Sequence, residues 1–205
     1  MNYKLHSFRH AQIILENENT YKRVWDELLK TIKSITDDEI ISYYENNKRK
    51  AKSISEAINN ILKDKLVKLS WNEESYIFQD DEYSGNRWRL DFAKESISVE
   101  VAFNHGEAIA WNLIKPVLAG ELNHVKKEIH TEIGVIICAT KALKDKGGFD
   151  GAVGEYEKFL TYLNPLRDVL SVPMVIIGLE APKSFEIKVQ KVHGKNQGIV
   201  QRIDT

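Results

Sequence analysis

Apolar residues at three- and four-residue spacing dominate the first third of the chain. Within residues 20–35 they fall on one face of a helix: Tyr21, Val24, Trp25, Leu28, Leu29, Ile32 and Ile35. A second helical segment is predicted to begin near Asp37, and the same spacing returns through residues 54–66, although the pattern does not define the break between them. Residues 45–52 are rich in lysine and arginine, which is typical of either a phosphate-facing patch or a solvated helix face.

Period-two alternation replaces the helical pattern after a polar stretch in the middle of the chain. Residues 88–92 and 97–103 each alternate between apolar and polar side chains, which predicts two strands. A short turn separates them, so the strands are expected to form a hairpin. Residues 107–122 return to helical spacing, with Pro116 interrupting the predicted helix and Gly120 ending it.

Two almost wholly apolar runs follow, at residues 133–138 and 172–179, and such runs are typical of central strands buried on both faces. A helical segment over residues 153–170 lies between them, which implies a parallel strand pair with a right-handed crossover. The sequence therefore predicts the α/β class: a single domain at residues 1–182, built on a central mixed sheet flanked by helices. Residues 183–205 are expected to form an extended or weakly structured C-terminal appendage.

Composition narrows the functional classes. The chain has 205 residues, the size of one domain, and a net charge of -1, so any nucleic-acid partner must be met by a local patch. The single cysteine, Cys138, excludes an intrachain disulfide and lies in an apolar run, where we expect it to be buried. The N-terminal residues lack the apolar stretch of a signal peptide, and no window is apolar enough to span a membrane, so a cytoplasmic location is expected.

Two acids stand out because they lie in otherwise apolar strands. A hairpin can bring Asp91 and Glu100 to one face of the sheet, and two carboxylates that close together repel unless a cation lies between them. Oxygen ligands favour Mg²⁺, Mn²⁺ or Ca²⁺ over zinc. The alternative is a hairpin edge with solvent-facing acids, in which Asp91 pairs with Arg89 or Lys94.

Other chemical motifs are weak or missing in the sequence. His105, His124 and His130 have no metal-ligand spacing that rivals the two acids. The chain contains no nucleophile elbow, no glycine-rich phosphate loop and no Cys-x-x-Cys pair. The acidic pair is therefore the strongest candidate site.

Residues 91–103 resemble the active-site hairpin of the BglII/BstYI-like type II restriction endonucleases, a branch of the PD-(D/E)xK nuclease superfamily. Residues 10–15, 61–71 and 172–179 also resemble segments of that family in the same order, so the resemblance spans most of residues 8–182. It implies a restriction-endonuclease-like core and metal-dependent hydrolysis of duplex DNA at a short palindromic site, for which a GATC core is expected.

The resemblance also implies roles for individual residues. Asp91 and Glu100 become the acidic pair that binds the metal, the backbone carbonyl of Val101 a further ligand, and Glu74 a polar residue near the metal. Mg²⁺ is the expected cofactor, with Mn²⁺ able to substitute and Ca²⁺ supporting binding without cleavage. A homodimer is implied, for which residues 107–122 are the candidate interface. A cognate DNA methyltransferase is expected in the same system, but not as a stable subunit.

Position 102 departs from the family pattern. Glu100 and Ala102 point the same way on a strand, so residue 102 occupies the position of the third catalytic group, which is glutamine in BglII and lysine in most relatives. Three explanations remain open: an inactivating substitution introduced here, a group delivered from elsewhere such as Lys94 or Glu107, or a natural protein that binds without cutting well. If the group is simply missing, Ala102→Gln should raise single-turnover cleavage about tenfold or more, and Asp91→Asn should abolish it.

Three segments are candidates for reading DNA, because base edges must be met by amide, carboxylate or cationic groups of fixed geometry. The first two are the residues after the second strand of the hairpin and a glycine-containing loop, and the third is the basic tail. Their candidate DNA-binding residues are Asn104, His105, Lys146, Gly147, Gly148, Asp150, Lys195 and Arg202. The alternative for each segment is an ordinary surface loop. For the whole chain, the alternatives are a catalytically impaired DNA-binding relative or a non-enzymatic α/β interaction module.

Overall fold

The structure is a computed structural model that describes residues 1–46, 51–79, 88–121, 130–192 and 194–203. Four of the basic or polar positions in residues 45–52, namely residues 47–50, lie outside the described residues, as do His124 and the tail residue His193. The side chain of Lys195 is likewise not described, although its backbone is part of a strand.

A six-stranded mixed sheet forms the centre of the molecule, with strand order β1-β6-β5-β4-β3-β2. The parallel strands β4, β5 and β6 lie side by side, whereas β1 and the β2-β3 pair join them antiparallel on either side. This arrangement confirms the predicted α/β class and mixed sheet. The strands are β1 (Tyr3–Phe8), β2 (Asn72–Tyr76), β3 (Arg89–Lys94), β4 (Ile97–Ala102), β5 (Ile133–Ala139) and β6 (Met174–Leu179).

Helices cover both faces of the sheet. Odd-numbered residues of β4 and β5, such as Val99 and Val135, share a core with the first four helices, whereas the even-numbered Ala102 and Ile136 share a second core with α5 and α7. The described helices are α1 (Ala11–Asn17), α2 (Asn19–Ser34), α3 (Asp37–Asn46), α4 (Ser55–Lys68), α5 (Ile109–Gly120), α6 (Lys141–Lys146) and α7 (Tyr156–Leu163). Side chains at even positions of β4 therefore face α5.

Most predicted elements are confirmed, with several differences, one of which is that Pro116 lies inside α5 and does not interrupt it. The hairpin β3-β4, the buried parallel strands β5 and β6, the end of α5 at Gly120 and the burial of Cys138 agree with the sequence analysis. Strand β1 was not predicted. Strand β2 occupies part of the polar stretch before the hairpin. The predicted helix over residues 153–170 is shorter, because Pro165 lacks the amide hydrogen that would continue the α7 hydrogen bonds.

The C-terminal residues form a β-hairpin of β7 (Phe185–Val192) and β8 (Lys195–Arg202), a separate two-stranded sheet that is more regular than the weakly structured appendage expected. Phe185 and Ile187 are buried in the main core, so the hairpin is attached to the domain by apolar packing. A domain boundary at residue 182 stays a prediction. None of the described helices is long and apolar enough to cross a membrane.

Candidate active site

The two candidate acids lie where the β3-β4 ladder opens. The paired residues run from Lys94 and Ile97 to Phe92 and Val99, and the next position in the same register places Asp91 opposite Glu100. Directly opposed residues of an antiparallel pair point to the same face of the sheet. Since Glu100 is an even-numbered residue of β4, that face is the one that α5 covers.

Side chains replace the backbone ladder at this point. The Val101 amide donates to Asp91 Oδ2 at 2.7 Å, and the Asp91 amide lies 3.3 Å from Glu100 Oε1, to which it donates. Each carboxylate is therefore held by the main chain of the opposite strand. This reciprocal pairing fixes the two carboxylates opposite each other.

Burial raises the pKa values of both acids. Glu100 is only 2% exposed, and burial together with the nearby charge of Asp91 raises its pKa to about 8, against the opposing effect of Lys115. Burial also raises the pKa of Asp91, while its hydrogen bond from Val101 and the charge of Lys115 oppose the rise. The two acids thus form a desolvated pair in which a bound cation would offset the repulsion between the ionised carboxylates.

Lys115 is a member of the site that the sequence analysis missed. Its Nζ donates to Glu100 Oε2 at 2.7 Å, and its side chain is 12% exposed. The signal was present in the sequence, because Asn112 and Lys115 are the polar residues of an otherwise apolar helix and lie one turn apart on α5. That helix was interpreted instead as a dimer interface.

Glu74 lies in line with the two acids, one strand further out. The β2-β3 register places Glu74 opposite Asp91, and its φ of 48° interrupts the regular strand there. Its like charge raises the pKa of Asp91. Its carboxylate, however, accepts from Arg89 Nη1 at 2.6 Å, and its side chain is 65% exposed. Glu74 is thus a neighbour of the acidic pair whose described ion pair is with Arg89.

The predicted solvent-edge pairings of Asp91 are absent among the described contacts. Arg89 binds Glu74 and Tyr76, and Lys94 binds Glu27 at 2.6 Å together with the carbonyl of Leu69. The Lys94 ammonium is therefore engaged away from the acidic pair.

The donor set suits a hard divalent ion. Asp91, Glu100 and the Val101 carbonyl are all oxygen ligands, the kind that Mg²⁺ and Ca²⁺ prefer. The Val101 carbonyl accepts a hydrogen bond from the Phe103 amide at 3.2 Å, and a carbonyl oxygen has a second lone pair for a cation. Nowhere in the described ranges do three or more His, Cys, Asp or Glu side chains form a group that could hold a metal ion.

Position 102 is closed by packing. Ala102 is 1% exposed and belongs to the apolar core between the sheet, α5 and α7. The other suggested source of a polar group, Glu107, lies in a 3₁₀ turn, Gly106–Ala108, and lines the neighbouring cleft. Neither residue supplies a polar group to the acids in this arrangement.

Two of the predicted recognition segments meet in one cleft of about 590 Å³ beside the carboxyl end of β4. Asn104 and His105 line one side, and Gly148 and Asp150 line the other. Lys146 is exposed at the end of α6 and is not part of the cleft lining, and Gly147 is buried beneath it. The structure therefore brings together residues that lie more than forty positions apart in the sequence.

Hydrogen bonds fix the walls of this cleft. The Asn112 amide on α5 donates to Asn104 Oδ1 at 2.9 Å, and the Gly154 amide donates to the Asn104 carbonyl at 3.0 Å. Across the opening, Lys52 Nζ lies 3.1 Å from Asp150 Oδ2. Helix α5 thus contacts both the acidic pair, through Lys115, and the cleft, through Asn112.

The tail residues are placed differently. Arg202 forms an exposed ion pair of 3.5 Å with Asp38 on α3 and does not line the cleft. Gly198 of β8 packs against the backbone of Lys52, where an added Cβ would come within 2.5 Å of the Lys52 carbonyl oxygen. The tail therefore contacts a residue of the cleft wall but contributes no described side chain to the cleft lining.

Comparisons with known proteins agree with this fold. The family model described as restriction endonuclease BglII/BglIII matches residues 3–179. The crystal structure of restriction endonuclease BglII complexed with a DNA 16-mer is similar in fold, with a TM-score of 0.68, 18% identity, and 99% of this chain and 100% of that chain covered. Free BglII has a TM-score of 0.57 at the same identity and coverage.

No curated protein matches significantly in sequence. Because the family model covers most of the chain and the fold agrees, the chain belongs to the BglII/BglIII restriction endonuclease family.

Proposed function

We propose that the chain is a type II restriction endonuclease that hydrolyses phosphodiester bonds of duplex DNA in a Mg²⁺-dependent reaction at a short palindromic site. The observation that carries the proposal is the pair of buried, opposed carboxylates at the open end of the β3-β4 ladder. Membership of a restriction endonuclease family and a fold similar to a DNA-bound endonuclease support it.

Asp91, Glu100 and the Val101 carbonyl hold the metal in this proposal. A divalent ion there supplies Lewis-acid chemistry, lowering the pKa of water and offsetting charge on the scissile phosphate. The chain's own contribution is a rigid oxygen donor set, since each acid is fixed by the opposite strand. Glu74 adds negative charge at the edge of the site. Mn²⁺ substitutes for Mg²⁺, and Ca²⁺ supports DNA binding without cleavage.

DNA recognition is proposed for the cleft beside β4. Asn104, His105 and Asp150 present amide, imidazole and carboxylate groups, the types that read base edges in a major groove. Gly148 lines the cleft and allows close approach of a DNA backbone, whereas Gly147 is buried, and the exposed Lys146 contacts phosphate. Lys195 and Arg202 of the tail contact DNA beside the core site. A palindromic target with a GATC core is the expected sequence.

A homodimer matches a palindromic target, because a two-fold symmetric protein offers the same contacts to each half-site. Helix α5 is the proposed interface, since Trp111, Ile114 and Leu118 on it are apolar and only partly buried. The enzyme acts in the cytoplasm, alongside a methyltransferase that protects the same site and is not a stable subunit.

A second candidate, a relative that binds DNA but cuts poorly, is favoured by Ala102. Its methyl group can neither orient a water molecule nor contact a phosphate. Losing such a group typically slows a reaction by a factor on the order of 10²–10⁴, or about 3–5 kcal/mol of barrier. The two candidates therefore differ in rate rather than in metal or DNA binding.

Fluorescence anisotropy with labelled duplex DNA, titrated with Ca²⁺ or with EDTA present, tests the proposal. An endonuclease site should bind its DNA more tightly with Ca²⁺, and Asp91→Asn should remove that gain. Asp64→Asn, an exposed aspartate of α4, is the matched control and should keep it. A non-enzymatic interaction module would ignore both the ion and the DNA, which would overturn the proposal.

A further inference from the structure

The candidate site lacks a polar side chain at position 102, but Lys115 of helix α5 places one beside the acids. Helix α5 crosses the open end of the hairpin and directs Lys115 toward the acids, where its ammonium lies 2.7 Å from Glu100 Oε2. Its charge also lowers the pKa of Asp91, against the effect of burial. The ammonium group therefore faces Asp91 and Glu100, the two carboxylates beside which residue 102 lies on the sheet.

Two contacts of α5 fix the backbone position of Lys115. The next residue, Pro116, sits directly on Gly134 of β5, where an added Cβ would come within 2.7 Å of the proline Cβ. On the preceding turn, Asn112 is hydrogen-bonded to Asn104 at the end of the hairpin strand. The turn of α5 that carries Lys115 is thus held on both sides.

The position of Lys115 is costly. Removing an ammonium from water carries a free-energy penalty, which its ion pair with Glu100 offsets in part. A fixed positive charge beside a metal site also weakens metal binding by repulsion. Enzymes nevertheless place a cation in such a position where it stabilises negative charge that develops during the reaction.

We propose that Lys115 is the third polar group of the active site and substitutes for the side chain missing at position 102. The proposal rests on the proposed function. One N–H of the ammonium holds Glu100, and another donates to a non-bridging oxygen of the scissile phosphate. In the hydrolysis, the water oxygen bonds to phosphorus, the bond from phosphorus to one ester oxygen breaks, the water loses a proton to solvent and the departing oxygen gains one. Lys115 stays protonated throughout.

The test compares Lys115→Met, which keeps the stem but removes the charge, with Lys115→Arg, which keeps the charge. Lys65→Met is the control, since Lys65 forms a half-buried ion pair with Glu39 far from the acids. Single-turnover cleavage in Mg²⁺, DNA affinity in Ca²⁺ and divalent-ion affinity without DNA are measured for each. We expect Lys115→Met to cut on the order of 10²-fold more slowly, with DNA affinity changed by less than about threefold and the metal bound more tightly.

Lys115→Arg should retain more than about a tenth of the parent rate, and Lys65→Met should match the parent. Ala102→Gln should gain less than about twofold, because position 102 is closed by packing and Lys115 already supplies a polar group. A parent that cuts while Lys115→Met cuts equally fast overturns the proposal and leaves the proposed function intact. A gain of about tenfold or more in Ala102→Gln overturns it as well. A parent that cuts no DNA in any divalent ion overturns both.

Discussion

Two acids face each other in a dry site at the open end of a hairpin, and their charges decide how the free protein behaves. Glu100 has a raised pKa because it is buried beside Asp91, and one ammonium opposes two carboxylates. Without a divalent ion this arrangement costs stability. The free energy of unfolding of the metal-free protein should therefore depend on pH.

The metal-free protein is expected to lose stability as the pH rises from about 4.5 to about 8. Glu100 ionises near its ordinary value of 4.5 in the unfolded chain and near 8 in the folded protein. Between these values the folded state holds a proton that the unfolded state has released. The free energy of unfolding should therefore fall by up to about 1.4 kcal/mol per pH unit and level off above the folded pKa.

Urea denaturation in EDTA across this pH range measures the slope. Glu100→Gln should flatten it, because an amide does not titrate, whereas Glu56→Gln, at an exposed glutamate of α4, should keep the parent slope. A parent protein whose stability is constant or rises from about pH 5 to pH 8 would contradict the burial of the pair.

His105 carries a prediction about specificity. Its side chain is exposed and lines the cleft that we propose binds DNA, and its backbone is held by a bridge to Val153. His105→Ala should weaken binding to the target by about 1–3 kcal/mol, or roughly 10- to 100-fold, and leave binding to unrelated duplex unchanged. Competition binding measures the ratio. His6→Ala, at an exposed histidine on β1, is the control. An equal loss on both duplexes would assign His105 to phosphate contact.

At the residue level, the placement of the acids on one face could be predicted from the sequence, whereas Lys115 could be recognised as unusual in an apolar helix but not matched to its partner. Asp91 and Glu100 interrupt two alternating strands joined by a short turn, so local pattern alone places them on one face. Lys115 reaches them from a helix on another layer. Its partner depends on how α5 crosses the sheet, and spacing along one element carries no information about that crossing.

At the level of elements, the close packing of helix α5 on the sheet depends on the absence of a side chain at Gly134. Gly134→Ala would place a Cβ 2.7 Å from the Pro116 Cβ and push the helix away from β5. We expect a loss of about 1–3 kcal/mol in the free energy of unfolding, measured by urea denaturation, together with slower cleavage because Lys115 moves with the helix. Gly151→Ala, with no atom within 4 Å of its added Cβ, should change neither. Equal stability for both variants would contradict the close packing of α5.

The elements differ in how far the sequence predicted them. The apolar runs of β5 and β6 and the amphipathic α2 carry strong periodic signals, and they agree with the structure. Strand β1 carries a weak signal and exists because its backbone pairs with β6 from the opposite end of the chain. Strand β2 has exposed polar residues on both faces of its first part and is defined by pairing with β3. Pairing between distant segments is a tertiary effect that local patterns do not contain.

At the scale of the whole molecule, the proposed dimer predicts the composition of the DNA complex. Sedimentation with a duplex that contains the target should give two chains per duplex. Ile114→Glu should reduce this to one chain or abolish binding, because it places a charge on the proposed apolar interface of α5. Ile13→Glu, at the 61% exposed isoleucine of α1, is the control and should preserve the assembly. A parent that stays monomeric on its target would contradict the dimer.

We propose that the carboxylates of Asp91 and Glu100 make this chain a metal-dependent, sequence-specific nuclease. Digestion of a random-sequence plasmid library, followed by sequencing of the ends, measures activity and target together. We expect cuts at one short palindrome in Mg²⁺ and none in EDTA or with Asp91→Asn. Cleavage by Asp91→Asn at the parent rate, or no cleavage by the parent in Mg²⁺ or Mn²⁺, would contradict it.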